Sequence, residues 1–156
     1  MACSACEEAK KMKEQAAAEA AKRRGAGSPA PGSYPINLCT AVKNYVAIAL
    51  SRQVTQYRNI KKFNSSVGLP KAPHTEYYSY GFTYIGKYYA KFQAIPLKPD
   101  LPTMVGYVYV KGSTNAYTID TLVQLSKTKS ISNLITTDEP VKIQLRTESG
   151  WSPNCT

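Results

Sequence analysis

The sequence has 156 residues, with 20 Lys+Arg against 10 Asp+Glu, 43% hydrophobic residues, 12 Tyr, four Cys and one His, which fits one modest domain with tails. No apolar run reaches the roughly eighteen residues of a membrane span, and the early charges of MACSACEEAKK argue against a secretory hydrophobic segment. With one His and thinly scattered acids, few groups titrate near neutral pH, so no enzyme activity is expected.

Residues 2–24 hold Ala, Lys, Glu and Arg, all strong helix formers, and residues 25–35 read GAGSPAPGSYP, which breaks any helix. Apolar positions before the break are nearly all Ala, so a helix there buries little surface. Glu7 and Glu8 near its start and Lys22, Arg23 and Arg24 near its end complement a helix dipole. The organisation expected is a flexible or helical arm with a Pro/Gly linker over 1–33, then a single domain over 34–156.

Leu38, Val42, Tyr45, Val46, Ala49, Tyr57 and Ile60 share one stripe at about 100° per residue, predicting a long, basic, amphipathic core-facing helix over 37–62. Its other side carries Lys43, Arg58, Lys61 and Lys62, and the acid-free window from Glu19 to Glu76 holds nine Lys or Arg. Leu69-Pro70-Lys71-Ala72-Pro73 reads as a connection.

Beyond Thr75, Tyr, Phe, Val, Ile and Thr predict strands near 76–85, 87–95, 104–111, 116–125 and 141–147. The clearest hairpin flanks Lys111-Gly112-Ser113-Thr114-Asn115. Residues 118–136 also fit one or two short helices, because Ile119, Leu122, Val123, Ile131, Leu134 and Ile135 suit helical spacing. Val141, Ile143 and Leu145 alternate with polar residues, giving a last strand with one wet face. Pro96, Pro99 and Pro102 mark a surface loop. The fold class expected is α+β: one helix beside a mainly antiparallel sheet of four to six strands.

Cys3 and Cys6 make one C-x-x-C, but a metal site needs about four ligands and no second pair accompanies it. Free thiols are the favoured reading, ahead of a metal shared in an oligomer and of a disulfide; Cys39 reads as a small buried hydrophobe. No cofactor or metal is expected. His74 reads as a loop residue, and Asp120, Asp138 and Glu139 as turn or capping groups. Gly81, Gly86 and Gly106, inside strand patterns, suggest bulges or close backbone approach.

Six tyrosines lie between residues 77 and 89. Alternation places Tyr78, Tyr80, Phe82 and Tyr84 on one face, read as a protein interface, since about 120 residues cannot enclose every Tyr in one core. The alternative is a nucleic-acid surface using Lys43, Arg58, Lys61, Lys62, Lys87 and Lys91 with the tyrosines as stacking platforms; such binding would be weak, and no nucleic-acid motif accompanies it.

The opening MACSACEEAKKMKEQAAAEAAKRRGAG, with its Cys-x-x-Cys, Ala/Lys/Arg-rich arm and Pro/Gly linker, resembles the starts of small proteins of tailed bacteriophages. The resemblance covers about thirty residues and carries over no catalytic or binding residue. It implies a virion component such as a capsid, decoration, neck or tail protein. The function expected is non-enzymatic assembly with other protein subunits, including copies of this chain, in the virion if viral and otherwise in the cytoplasm.

Overall fold

The computed structural model describes residues 34–113 and 115–155. The chain divides between Pro35 and Ile36, and the account below concerns the unit that follows. The arm reading over 1–33 lies outside the described residues, as do Cys3 and Cys6. The described residues form an α+β fold, with one helix, α1 (Leu38–Ile60), then β1 (Tyr78–Ile85), β2 (Tyr89–Pro96), β3 (Thr103–Ser113) and β4 (Ala116–Ser126). The strands form one antiparallel sheet in the order β1-β2-β3-β4.

Helix α1 forms where the apolar stripe predicts it, burying Leu38, Val42, Tyr45, Val46, Ala49, Leu50 and Tyr57. It stops at Ile60, short of the expected 62, because Lys61 turns left-handed (φ 54°) and donates its N–H to the Tyr57 carbonyl. Gln53, fully buried, holds the chain beyond: its side-chain amide exchanges hydrogen bonds with the backbone of Asn64. The helix lies across the sheet at Gly106, where a Cβ would come 2.6 Å from Val46 and 2.8 Å from Leu50. Glycine there lets helix and strand approach closely.

Strand β3 is buried from Thr103 through Val110, since both faces of the sheet are covered. Cross-strand partners share a face, so Phe82, Phe92 and Gly106 look toward α1 while Lys91 and Tyr107 look away. On the far face Tyr89, Val105, Tyr107, Tyr109 and Trp151 form a second core, against which Leu122, Leu134, Ile135, Val141 and Leu145 pack. The cover is residues 127–155, an irregular strap.

One sequence expectation fails in this strap, and the open choice between strand and helix over 118–136 is resolved. No strand forms over 141–147; Val141 makes one parallel bridge to Lys111 and Ile143 is 70% exposed. Strand β2 ends its ladder with β3 at Tyr109; beyond it the Val110 N–H donates to the Tyr88 carbonyl, and Val141 takes up the Val110 carbonyl and the Gly112 N–H. Of the alternating residues only Val141 and Leu145 pack against the sheet face, and Ile143 between them does not. No helix forms over 118–136: β4 claims residues up to Ser126 through eleven pairs with β3, and the chain beyond is irregular. Cross-strand pairing wins where a short apolar run suits either period.

A second expectation fails at Cys39, which is no free thiol. It forms a disulfide with Cys155, Cα–Cα 5.8 Å, across a sequence separation of 116. The strap returns to the start of α1, bringing together two cysteines whose spacing gave no sign of pairing. At the same place Lys43 Nζ donates to the Pro153 carbonyl at 2.5 Å.

Candidate functional site

Three of the four aromatic residues read as an interface come together. Tyr78, Tyr80 and Phe82 line a groove of about 540 Å3 between β1 and the connection after α1, with Tyr45, Leu69 and Leu97 completing its wall. Local packing fixes their positions. The Tyr80 ring meets Tyr45 edge-on at 4.8 Å, and Phe82 meets Phe92 at 4.7 Å. The hydroxyls of Tyr45, Tyr78 and Tyr80 donate to the carbonyls of Pro70, Pro102 and Pro73. These prolines stand in connections, where their carbonyls have no ladder to join, so tyrosine tips can satisfy them. Burial and the neighbouring Tyr45 push the Tyr80 phenol up to about 12, so it stays a neutral donor.

Tyr78 is only 1% exposed and belongs to the core. Tyr84 does not join the others. A bulge between Phe82 and Tyr84 breaks the register, so that Tyr84 pairs with Lys91 and its ring stacks on Tyr89 at 4.4 Å, on the face away from the helix. One extra residue inverts every later side chain of a strand, and nothing in simple alternation announces it. Six tyrosines are buried, shared between the two faces of the sheet. A sheet covered on both sides has two cores, which is how this chain encloses more aromatic rings than one core would allow.

Strand β1 is an edge of the sheet. Its sequence, YSYGFTYI, holds no charged residue and no proline, the usual guards of an exposed edge. Gly81 is at its centre, and nothing lies within 4 Å of the place its Cβ would take. At the other edge, β4 carries Asp120 and is bridged at Leu125 by Ser152.

The six basic residues of the alternative surface are dispersed. Lys43 and Arg58 lie fifteen positions apart on α1, roughly 22 Å along the axis, and Lys43 is engaged with Pro153. Lys61 sits over Tyr117 and Lys62 is exposed beyond the helix end. Lys87 covers Tyr88, in the turn between β1 and β2. Lys91 is on the strap face, donating to the Ser132 carbonyl over the Tyr107 ring. The structure therefore joins them into no single basic track.

The densest polar cluster is one the sequence reading missed. Ser132, 3% exposed, accepts from Tyr107 and from Gln124 and donates to Glu148. Glu148 also receives the Gln124 amide at 2.7 Å and the Asn133 N–H at 3.1 Å. Burial pushes the Glu148 carboxyl up, but bonds from Ser132, Gln124 and Asn133 and the charge of Lys129 outweigh it and hold the group below its ordinary value. Burial lowers the Lys91 amine against the opposing pull of Glu148. The cluster bolts the strap to β3 and β4, with its hydroxyl sealed inside. Its only sequence signal is Glu148, an isolated acid among polar residues.

The remaining residues resolve simply. Asp138 accepts the N–H groups of Lys87 and Tyr88 at 2.7 and 2.8 Å, the capping role read for it. Asp120 lies 4.0 Å from Lys111. His74 is in a turn, its carbonyl accepting the N–H of Tyr77. A smaller cavity of about 370 Å3 lies beside the disulfide, lined by Cys39, Cys155 and Trp151. Among the described residues, no group of three or more His, Cys, Asp or Glu is placed to hold a metal ion, and no helix is long and apolar enough to cross a membrane.

No family model matches the sequence, and comparison with curated proteins and with solved structures gives no significant match.

Proposed function

We propose that this protein is a structural, non-enzymatic assembly component that binds other protein subunits in a larger particle, using the β1 edge and its aromatic groove. The observation that carries this reading is the juxtaposition of Tyr80 and Phe82, in an open groove, with a strand edge bare of charge. Aromatic rings with polar tips are the side chains most enriched at protein interfaces. The Cys39–Cys155 disulfide supports a place outside a reducing cytosol, and the likeness of the N-terminal residues to small proteins of tailed phages supports a virion as the particle.

The test is cosedimentation of the protein with particles from its source, for the wild type and for Tyr80→Ser/Phe82→Ser, with melting curves for both. Expected is cosedimentation that withstands nuclease and high salt and is lost in the double variant at a melting temperature lowered by only a few degrees. Cosedimentation abolished by nuclease would favour the nucleic-acid reading and overturn this one, as would wild-type protein that stays wholly soluble.

A further inference from the structure

Four glycines of the body have a cause inside the chain. Gly106 admits α1. Gly86 makes room for Asp138 and Tyr84, and Gly112 and Gly150 take positive φ values of 110° and 86°. Gly81 has no such cause: its φ is ordinary, no neighbour crowds it, and the bulge of β1 comes after it, between Phe82 and Tyr84. A glycine inside a strand costs roughly 0.5–1 kcal/mol relative to Ala and often marks a place where another backbone approaches.

We infer that Gly81 is the centre of a self-pairing edge, where β1 of one copy pairs antiparallel with β1 of a second copy about a two-fold axis. The inference rests on the assembly reading and names its partner as this same chain. An axis through Gly81 sets Tyr80 of each copy opposite Phe82 of the other, on the helix side of the sheet. These rings form directly opposed aromatic pairs, and the two grooves meet as one. The bulge after Phe82 ends the pairing on both sides, because it turns the edge away.

Charge selects the partner. The protein carries a formal charge of +10, so two copies repel wherever lysines and arginines meet, yet β1 is uncharged from Tyr78 to Ile85 and can approach its own image without opposing like charges. Area sets the strength. Tyr80 and Phe82 of two copies, each already mostly buried, have at most about 350 Å2 left to bury, no more than about a third of the roughly 1,000 Å2 at which specific interfaces begin. Paired backbone and the flanking Ile95 and Leu97, 47% and 53% exposed, supply the rest. The dimer is accordingly weak and reversible, and salt strengthens it by screening the net charge.

The full-length protein is tested by sedimentation velocity up to about 0.5 mM, a range that detects weak dimers, at low and high salt. The variants are Gly81→Lys, Gly81→Asp and their equimolar mixture. The open space at Gly81 accepts either side chain without disturbing the monomer, which melting curves verify. Expected is a wild-type dimer that tightens with salt. In either variant alone the dimer weakens about tenfold, since like charges face each other across the axis, and in the mixture, where Lys faces Asp, it returns. A wild-type monomer throughout, a dimer indifferent to both substitutions, or a mixture no tighter than its components would overturn the inference. Wild-type protein that is monomeric yet cosediments with particles would overturn the paired edge and leave the assembly reading standing.

Discussion

Replacing Cys39 and Cys155 together by Ser should cost this protein a large part of its stability. The bridge closes a loop with a sequence separation of 116, nearly the whole body. By the chain-entropy relation a loop of this length restricts the unfolded chain by roughly 16 cal/mol/K, or about 5 kcal/mol at 25 °C. A domain of this size has about 5–15 kcal/mol in total, so the opened protein stands near the limit of folding. The strap makes the dependence sharper. Between Lys127 and Cys155 it has no helix or strand of its own, and two isolated bridges, the Asp138 cap and the Glu148 cluster are its main polar ties to the sheet.

Urea unfolding measures the effect, with Cys3 and Cys6 replaced by Ser in both proteins to prevent thiol exchange. Trp151, the one tryptophan, is buried in the second core and reports its opening, with far-ultraviolet circular dichroism as an independent probe. At an m-value of about 1–3 kcal/mol/M the midpoint falls by roughly 2–5 M, and reductant brings the bridged protein to the same midpoint. A loss below about 1 kcal/mol would refute the reasoning, because it would mean that the strap is held by its packing and the loop is already closed in the unfolded chain.

Gly106→Ala should destabilise by about 1–3 kcal/mol, since the added methyl meets Val46 and Leu50 at 2.6 and 2.8 Å and must push α1 from the sheet; calorimetry checks this. Glu148→Gln should lower the melting temperature at neutral pH and lose its effect in acid. The folded carboxyl titrates below its ordinary value, so its stabilisation is present above the unfolded pKa and disappears as pH falls through the folded one. A difference between the proteins that grows toward acid would contradict that sign. Tyr80→Phe should cost about 0.5–1.5 kcal/mol through the lost bond to Pro73 and should remove from the alkaline absorbance titration a phenol ionising at about 12.

Periodicity determined the elements that bury a single face. The stripe from Leu38 to Tyr57 placed α1 to within two residues, because an amphipathic helix writes its contact surface directly into sequence spacing. The four strands of the sheet were legible from their runs of Tyr, Phe, Val, Ile and Thr, as was the antiparallel hairpin of β3 and β4. Capping by Asp138 and the close approach at Gly106 followed from residue chemistry.

Tertiary structure decided whatever depends on what lies across from a residue. The bulge after Phe82 sends Tyr84 to the far face, and only the β1–β2 register reveals it. The alternation at 141–145 reads as a strand, yet Val141 alone bridges to the sheet and Ile143 is left exposed, because beyond the β2 ladder β3 leaves no further free edge length for the segment to join. Cys39 and Cys155 meet, and Ser132 and Glu148 lock, because the returning chain carries them there. Local sequence encodes which side of an element is apolar; partners more than a hundred residues away are fixed only when both faces of the sheet have been covered.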